Sequence, residues 1–188
     1  LGKIIVHGDS REKARAHLAA CLKGMYVKGI ETNKDFLGYI LNSKLFKKDM
    51  IQITDLDNLA LQFKKLLPES IEVIGAALIV LSSESQFKNK MWRLWGSGAT
   101  NIFLKQTEKN YEIKISSSDG QKFHFKIEDK IFKVERILLT EKTISFDVDK
   151  SLVNLEFSIN EKKISLFRQG VAFTFENHTN LYKGNKAD

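Results

Sequence analysis

The chain has 188 residues, 43% of them hydrophobic, which is enough for one or two domains with buried cores. Its only cysteine, Cys21, excludes an internal disulfide and favours a reducing compartment. The opening segment GKIIVHGDS is a short apolar run followed at once by charged residues, which is not typical of a signal peptide.

The formal net charge of +7 raises the question of a nucleic-acid partner. Residues 1–90 carry 14 basic and 10 acidic residues, and residues 91–188 carry 16 and 13, so the excess is spread evenly. A nucleic-acid-binding protein is expected to concentrate its basic residues on one face. We therefore predict no nucleic-acid partner and interpret these charges as solvated surface.

Residues 1–67 are predicted to form a small α+β subdomain. Apolar residues at helical spacing predict a helix that begins after an N-cap at Asp9 or Ser10 and a second helix over KDFLGYILN. Cys21 falls on the apolar stripe of the first helix and is predicted to lie in the core. Short apolar or extended stretches predict strands at residues 3–7, 26–27 and 50–53.

The segment 68–85 is predicted to form a buried central helix. No residue from Val73 to Leu81 is polar, so apolar groups point in every direction, and a helix of this kind must be buried on all sides. It is too short to cross a bilayer, which needs about 20 apolar residues. Pro68 suits the first helical turn, and Glu69 and Glu72 lie near the positive end of the helix dipole.

From Ala99 onward, apolar and polar residues alternate with a period of two, which predicts strands joined by tight turns. We predict an eight-stranded antiparallel barrel around the helix. Because a closed eight-stranded barrel is normally filled by its own side chains, we expect it to be splayed or partly open. The segments are 99–105, 110–117, 121–127, 131–138, 142–148, 151–159, 162–168 and 171–176.

The sequence contains no recognised catalytic motif: no phosphate-binding GxxxxGK[ST], no GxSxG, no HExxH and no metal-ligand spacing. His124 alternates with Phe123 and Phe125, which predicts an exposed position on the outer face of a strand. We therefore predict no catalytic and no metal-binding residues. The residue chemistry alone indicates a binding or scaffolding module.

Two stretches carry a resemblance to biotin-dependent acyl-CoA carboxylase alpha subunits, in particular 3-methylcrotonyl-CoA carboxylase. Residues 2–46 resemble the end of the biotin carboxylase region, through Lys3, the Gly8–Arg11 turn, the run VKGIETN and Phe36-Leu37. The motifs WRLWG, KIEDKIFKV and ISLFRQGVAFTF are similar to the segment that follows in these subunits. In that family the segment is the BT domain, a long helix surrounded by an eight-stranded antiparallel barrel.

The resemblance implies a fragment of a longer ligase. Residues 1–67 would complete the biotin carboxylase domain, and residues 68–176 would be the BT domain, with a central helix over 68–85, a hook over 86–98 and a barrel over 99–176. Residues 177–188 would be a polar tail or a linker toward a biotin carrier domain. The parent would use ATP, Mg²⁺, bicarbonate and covalent biotin, whereas this fragment would bind none of them alone and be inactive.

The resemblance also implies site residues. Ile53 matches an isoleucine that packs on adenine, although it could equally be an ordinary core residue. His7 and Arg11 match a dimer interface of the free-standing bacterial enzyme, and a purely structural role for them is the alternative. The implied contacts with the carboxyltransferase beta subunit, for which caps over the barrel end are the alternative, are Phe87, Met91, Trp92, Arg93, Leu94 and Trp95.

The implied partners are the beta subunit and the biotin carboxyl carrier domain of the same chain, with no membrane. The location would be the cytoplasm, or the mitochondrial matrix in a eukaryote. The competing hypothesis is a basic β-barrel module that binds nucleic acid or an acidic protein. Salt dependence separates the two, because phosphate binding weakens steeply with salt whereas docking through aromatic side chains does not.

Overall fold

In a computed structural model of the chain, the residues described are 2–27, 30, 32–83, 99–107, 109–117 and 122–179. They belong to two compact units: unit 1 is Leu1–Leu67 with Gln169–Val171, and unit 2 is Pro68–Arg168 with Ala172–Asp188. The helices are α1 (Arg11–Gly24), α2 (Lys34–Asn42), α3 (Lys44–Lys47), α4 (Asp55–Gln62) and α5 (Ser70–Ser83). The strands are β1 (Ala99–Gln106), β2 (Lys109–Ser117), β3 (Lys122–Ile127), β4 (Lys130–Leu139), β5 (Thr143–Val148), β6 (Ser151–Asn160), β7 (Lys163–Arg168) and β8 (Val171–Asn177).

Helices α1 to α4 form the described part of unit 1. Helix α1 begins after Ser10, whose hydroxyl accepts a hydrogen bond from the backbone N–H of Lys13 at 3.3 Å, as predicted for an N-cap. The ring of Phe63 packs against Phe36 and Tyr39 of α2, with centroids 5.4 and 5.5 Å apart. The buried apolar side chains of this unit are Leu22, Ile40, Leu41 and Leu59.

The strands predicted in unit 1 are absent from its described residues, so the α+β prediction for this unit was wrong. Residues 3–7, 26–27 and 50–53 are in irregular or turn structure. A strand needs a hydrogen-bonding neighbour, and these short runs have none among the described residues. The core prediction for Cys21 was also wrong: its side chain is exposed, because α1 buries fully only Leu22.

The eight predicted strands of unit 2 are confirmed as a closed antiparallel barrel in sequential order, β1 to β8. Non-glycine residues with positive φ occupy several of the tight turns, among them Glu128 (54°), Glu161 (53°) and Gln169 (51°). Positive φ at such positions matches the twist of paired strands, so the predicted turns are formed where the sequence placed them.

The barrel is closed rather than splayed, which corrects the expectation of an open sheet. Its seam is short, however: among the described residues, β1 and β8 pair through Leu104 with Asn177 and Lys105 with Glu176. The inward side chains of the barrel are buried, as the period of two predicts. Those fully or almost fully buried include Ile102, Leu104, Ile113, Ile115, Phe125, Ile144, Phe146, Leu155, Leu166 and Phe175.

Helix α5 has 14 residues, and every residue from Glu72 to Leu81 is buried. It packs against β1, β5 and β7. Gly75 lies where a Cβ atom would come within 3.1 Å of Leu155 and 3.4 Å of Leu166, so the absence of a side chain permits this close approach. None of the described helices is long and apolar enough to cross a membrane.

Candidate functional site

Ile53, the predicted adenine contact, lies in the turn before α4. Asp55 holds this turn by accepting a hydrogen bond from the backbone N–H of Gln52 at 2.8 Å, and Ile53 O accepts from the N–H of Leu56 at 3.1 Å. The side chain of Ile53 is 86% exposed. The alternative of an ordinary core isoleucine was therefore wrong, and the side chain is available for an external apolar contact.

Arg11 and His7, the predicted interface pair, lie at the start of α1 and just before it. The Arg11 guanidinium forms an ion pair with Asp49 at 3.0 Å and lies 4.9 Å from the centroid of the Phe46 ring. These contacts connect the start of α1 with α3 and the residue pair that follows it. His7 is exposed and lines a cavity of about 500 Å³ with Gly8, Asp9, Lys13, Ala16 and His17.

The predicted beta-subunit contacts lie outside the described residues. They are Phe87, Met91, Trp92, Arg93, Leu94 and Trp95. Their role in subunit docking stays a prediction.

A buried ion cluster at the first turn of α5 was missed by the sequence analysis. Glu72 is completely buried, and one of its carboxylate oxygens accepts a hydrogen bond from the backbone N–H of Glu69 at 2.8 Å. The other oxygen is paired with Nε of Arg168, the last residue of β7. The terminal nitrogens of Arg168 contact the Glu69 carboxylate at 3.2 and 3.3 Å. One guanidinium therefore joins two helix carboxylates to a strand end.

The sequence carried a signal for part of this cluster. Glu69 precedes the first residue of α5, and Glu72 is its third residue, which is the spacing at which a glutamate reaches back to an N-cap N–H. The partner Arg168 lies 96 positions further along the chain (168 − 72), and no local pattern connects them. Burial raises the pKa of Glu72, outweighing the lowering by the Glu69 N–H and by the charge of Arg168.

A cavity of about 480 Å³ opens between this first turn and the adjoining ends of β2, β3 and β4. Charged groups at its rim pair with each other: Lys109 Nζ lies 2.9 Å from the Glu128 carboxylate and 4.8 Å from the centroid of the Tyr111 ring. Burial raises the pKa of the Tyr111 hydroxyl above its ordinary value of 10.0. The arrangement suits packing rather than proton transfer.

Within the described ranges, no three or more His, Cys, Asp or Glu side chains are placed to hold a metal ion.

Comparison with known proteins gave one family match. Residues 1–58, which are 58 of the 188 residues, match the family described as the biotin carboxylase C-terminal domain. A search of the curated proteins gave no match. The matched segment contains His7, Arg11 and Ile53, and it covers most of unit 1. This first segment is therefore similar to the C-terminal domain of biotin carboxylases, which supports a biotin-dependent carboxylase, a ligase, as the parent protein.

Proposed function

We propose that the chain is part of the alpha subunit of a biotin-dependent acyl-CoA carboxylase of the 3-methylcrotonyl-CoA carboxylase type. Unit 1 completes the biotin carboxylase domain, which carboxylates biotin with ATP and bicarbonate. Unit 2 is a BT domain that joins it to the carboxyltransferase beta subunit, where the carboxyl group passes to the acyl-CoA. The biotin carrier domain of the same chain moves between them.

The observation that carries this proposal is the order of the two units along one chain. A segment similar to the biotin carboxylase C-terminal domain is followed by α5 and then by a closed barrel of eight sequential strands. The complete burial of α5 from Glu72 to Leu81 supports a helix enclosed by this barrel, as in the BT domain that the sequence resembles.

In this proposal the exposed Ile53 packs against the adenine of ATP, and the cluster from Phe87 to Trp95 docks on the beta subunit. Aromatic side chains are frequent anchors of protein interfaces, which supports the choice of Trp92 and Trp95. His7 remains a candidate for contact with a second carboxylase chain, whereas the contacts of Arg11 with Asp49 and Phe46 favour a structural role.

The test is a blot of extract from the source cells, probed in parallel with an antibody to this chain and with labelled streptavidin. One band much larger than 21.5 kDa that both probes detect is the expected result. An antibody band at 21.5 kDa without a streptavidin signal would contradict the proposal and favour the free-standing binding module.

Docking is tested separately with the purified beta subunit. The double variant Trp92→Ala, Trp95→Ala should bind the beta subunit at least about tenfold more weakly, because it loses one or two anchors of the interface. Raising the salt concentration should change binding little. Unchanged binding by the double variant, or a steep loss with salt, would contradict docking through the aromatic cluster.

A further inference from the structure

The outward face of β2, β3 and β4 is basic. Because side chains alternate along a strand, the inward residues leave ten outward positions on these strands up to the bulge that follows Glu135 in β4, and four of them are lysines against two glutamates. The lysines are Lys114, Lys122, Lys126 and Lys133, with His124 between them, and the glutamates are Glu112 and Glu135. We call this surface the basic face.

One cross-strand pair on the basic face joins like charges. Lys122 of β3 lies opposite Glu135 of β4, a pair of opposite charge, but Lys114 of β2 is the cross-strand partner of Lys126 of β3, which places two like charges directly opposite each other. Such pairs destabilise a sheet, whereas pairs of opposite charge stabilise it. An arrangement that works against folding is expected where the surface serves another purpose.

The acids on this face neutralise Lys114 and Lys133 only weakly. Lys114 Nζ lies 3.7 Å from the Glu112 carboxylate, and Lys133 Nζ lies 3.6 Å from that of Glu135. The side chains of Lys114 and Lys133 are 58% and 44% exposed, and exposed pairs contribute about 0–1 kcal/mol. Lys126 makes no ion pair with any described residue.

The opposite part of the barrel differs. The outward positions of β5, β6 and β7 carry a single lysine, Lys163, and are dominated by Ser, Thr and Asn. The Ser145 hydroxyl of β5 bonds to the Asn154 amide of β6, and the Ser165 hydroxyl of β7 bonds to that of Thr174 in β8 at 2.9 Å. The positive charge of the barrel is therefore concentrated on one side, which counting along the sequence does not reveal.

We propose that the basic face is a docking surface for an extended acidic segment of a partner protein. Along β3, the hydrogen-bond donors Lys122, His124 and Lys126 recur at every second residue, which is a spacing of about 7 Å. Acidic residues at alternate positions of an extended segment have the same spacing, so such a segment lying along β3 would meet Lys126, His124 and Lys122 in turn. This proposal goes beyond the carboxylase role, because it concerns the barrel strands and not the aromatic cluster.

The chemistry of the face favours a protein over RNA. Proteins that bind single-stranded nucleic acid combine a basic groove with aromatic side chains on which the bases stack. The ten outward positions contain no Phe, Tyr or Trp, and the outside of a barrel is convex rather than grooved. Charge can therefore attract a phosphate backbone here, but nothing on the face receives a base.

The test measures fluorescence anisotropy of labelled peptides with the full chain. The first peptide alternates Glu and Ser, and the second has the same composition with its glutamates in one run. The patch variant is Lys114→Gln with Lys126→Gln. The matched control is Lys142→Gln with Lys162→Gln, which removes the same charge from two exposed turns outside the basic face.

The patch variant should bind the alternating peptide about five- to tenfold more weakly than the native chain, because it loses two exposed ion pairs with the peptide. The control variant should lose less than about twofold, and the block peptide should bind more weakly than the alternating one. Equal losses in both variants, or no preference for the alternating peptide, would overturn the proposal in favour of general charge attraction. Tighter binding of a single-stranded RNA, with the same sensitivity to the patch variant, would also overturn it.

Discussion

The two units differ in how completely they bury their apolar residues. In unit 2 the barrel core and α5 are almost entirely inaccessible to solvent. In unit 1, by contrast, Ile5, Ile53, Leu61 and Leu67 are each 75–86% exposed. In unit 2 the closed sheet and the helix packed against it cover each other's apolar side chains. The four short helices of unit 1 leave some of their apolar side chains uncovered. We therefore expect unit 2 to dominate the stability of the chain.

The largest expected effect comes from placing a charge in α5. Ile74 is fully buried, so Ile74→Asp should lower the free energy of unfolding of unit 2 by about 4 kcal/mol or more, since an unpaired carboxylate would be buried. Ile53→Asp is the matched control, because Ile53 is 86% exposed and its replacement should change stability by less than about 0.5 kcal/mol.

Thermal unfolding followed by circular dichroism measures both variants. A folded Ile74→Asp chain with native stability would refute the enclosure of α5. Equal destabilisation by both substitutions would refute the contrast between the units.

The buried ion cluster provides the next test. Arg168→Met keeps much of the side-chain volume but leaves Glu72 without its cation, so stability should fall by about 2–3 kcal/mol. Adding Glu72→Gln to Arg168→Met should recover part of the loss, because the neutral amide needs no counter-charge. Urea unfolding of the single and double variants measures this coupling, and additive losses would show that the pair is not coupled.

Substitutions at two glycines test the contrast between the units through smaller changes in the free energy of unfolding. A side chain at Gly75 would press on Leu155 and Leu166, so Gly75→Val should destabilise unit 2 by about 1–3 kcal/mol. Gly38 lies within α2 with nothing near its missing Cβ, so Gly38→Ala should stabilise unit 1 by about 0.5–1 kcal/mol. Differential scanning calorimetry of both variants checks the opposite signs.

The smallest expected effect is a pH dependence. Burial raises the pKa of Glu72, so the folded chain holds this proton to a higher pH than the unfolded chain does. Its contribution to stability is present below the ordinary glutamate pKa and is lost as the pH rises through the folded pKa. The stability of Glu72→Gln relative to the native chain should therefore rise as the pH increases from the ordinary glutamate pKa of 4.5 through the raised pKa of the folded chain.

Two other carboxylates make the stability of the chain rise with pH, which is the opposite dependence. Because both are present in Glu72→Gln and in the native chain, their contributions cancel when the two stabilities are subtracted. Hydrogen bonds from Arg15 and His178 lower the pKa values of Glu12 and Glu176, so their contributions are lost as the pH falls. Urea unfolding of both chains across this range gives the difference. A relative stability of Glu72→Gln that falls with rising pH would contradict the assignment.

Much of unit 2 could be predicted from local sequence. The period of two located all eight strands to within about two residues at each end, because each strand has one apolar and one polar face. The same reasoning failed in unit 1, where short apolar runs such as 3–7 have no pairing partner among the described residues. Of the candidate site, His7, Arg11 and Ile53 are predictions from motifs, and the exposure of Ile53 depended on how α4 and its preceding turn pack.

The sequence by itself determined the alternation of the barrel strands, the apolar character of α5 and the similarity of residues 1–58 to the biotin carboxylase C-terminal domain. Each of these features depends only on residues that are close together in the chain. The tertiary structure alone decided that the barrel closes, that Arg168 meets Glu72, and that Lys114 faces Lys126. Each of these depends on strand register or on contacts between residues far apart in the chain, which no local pattern specifies.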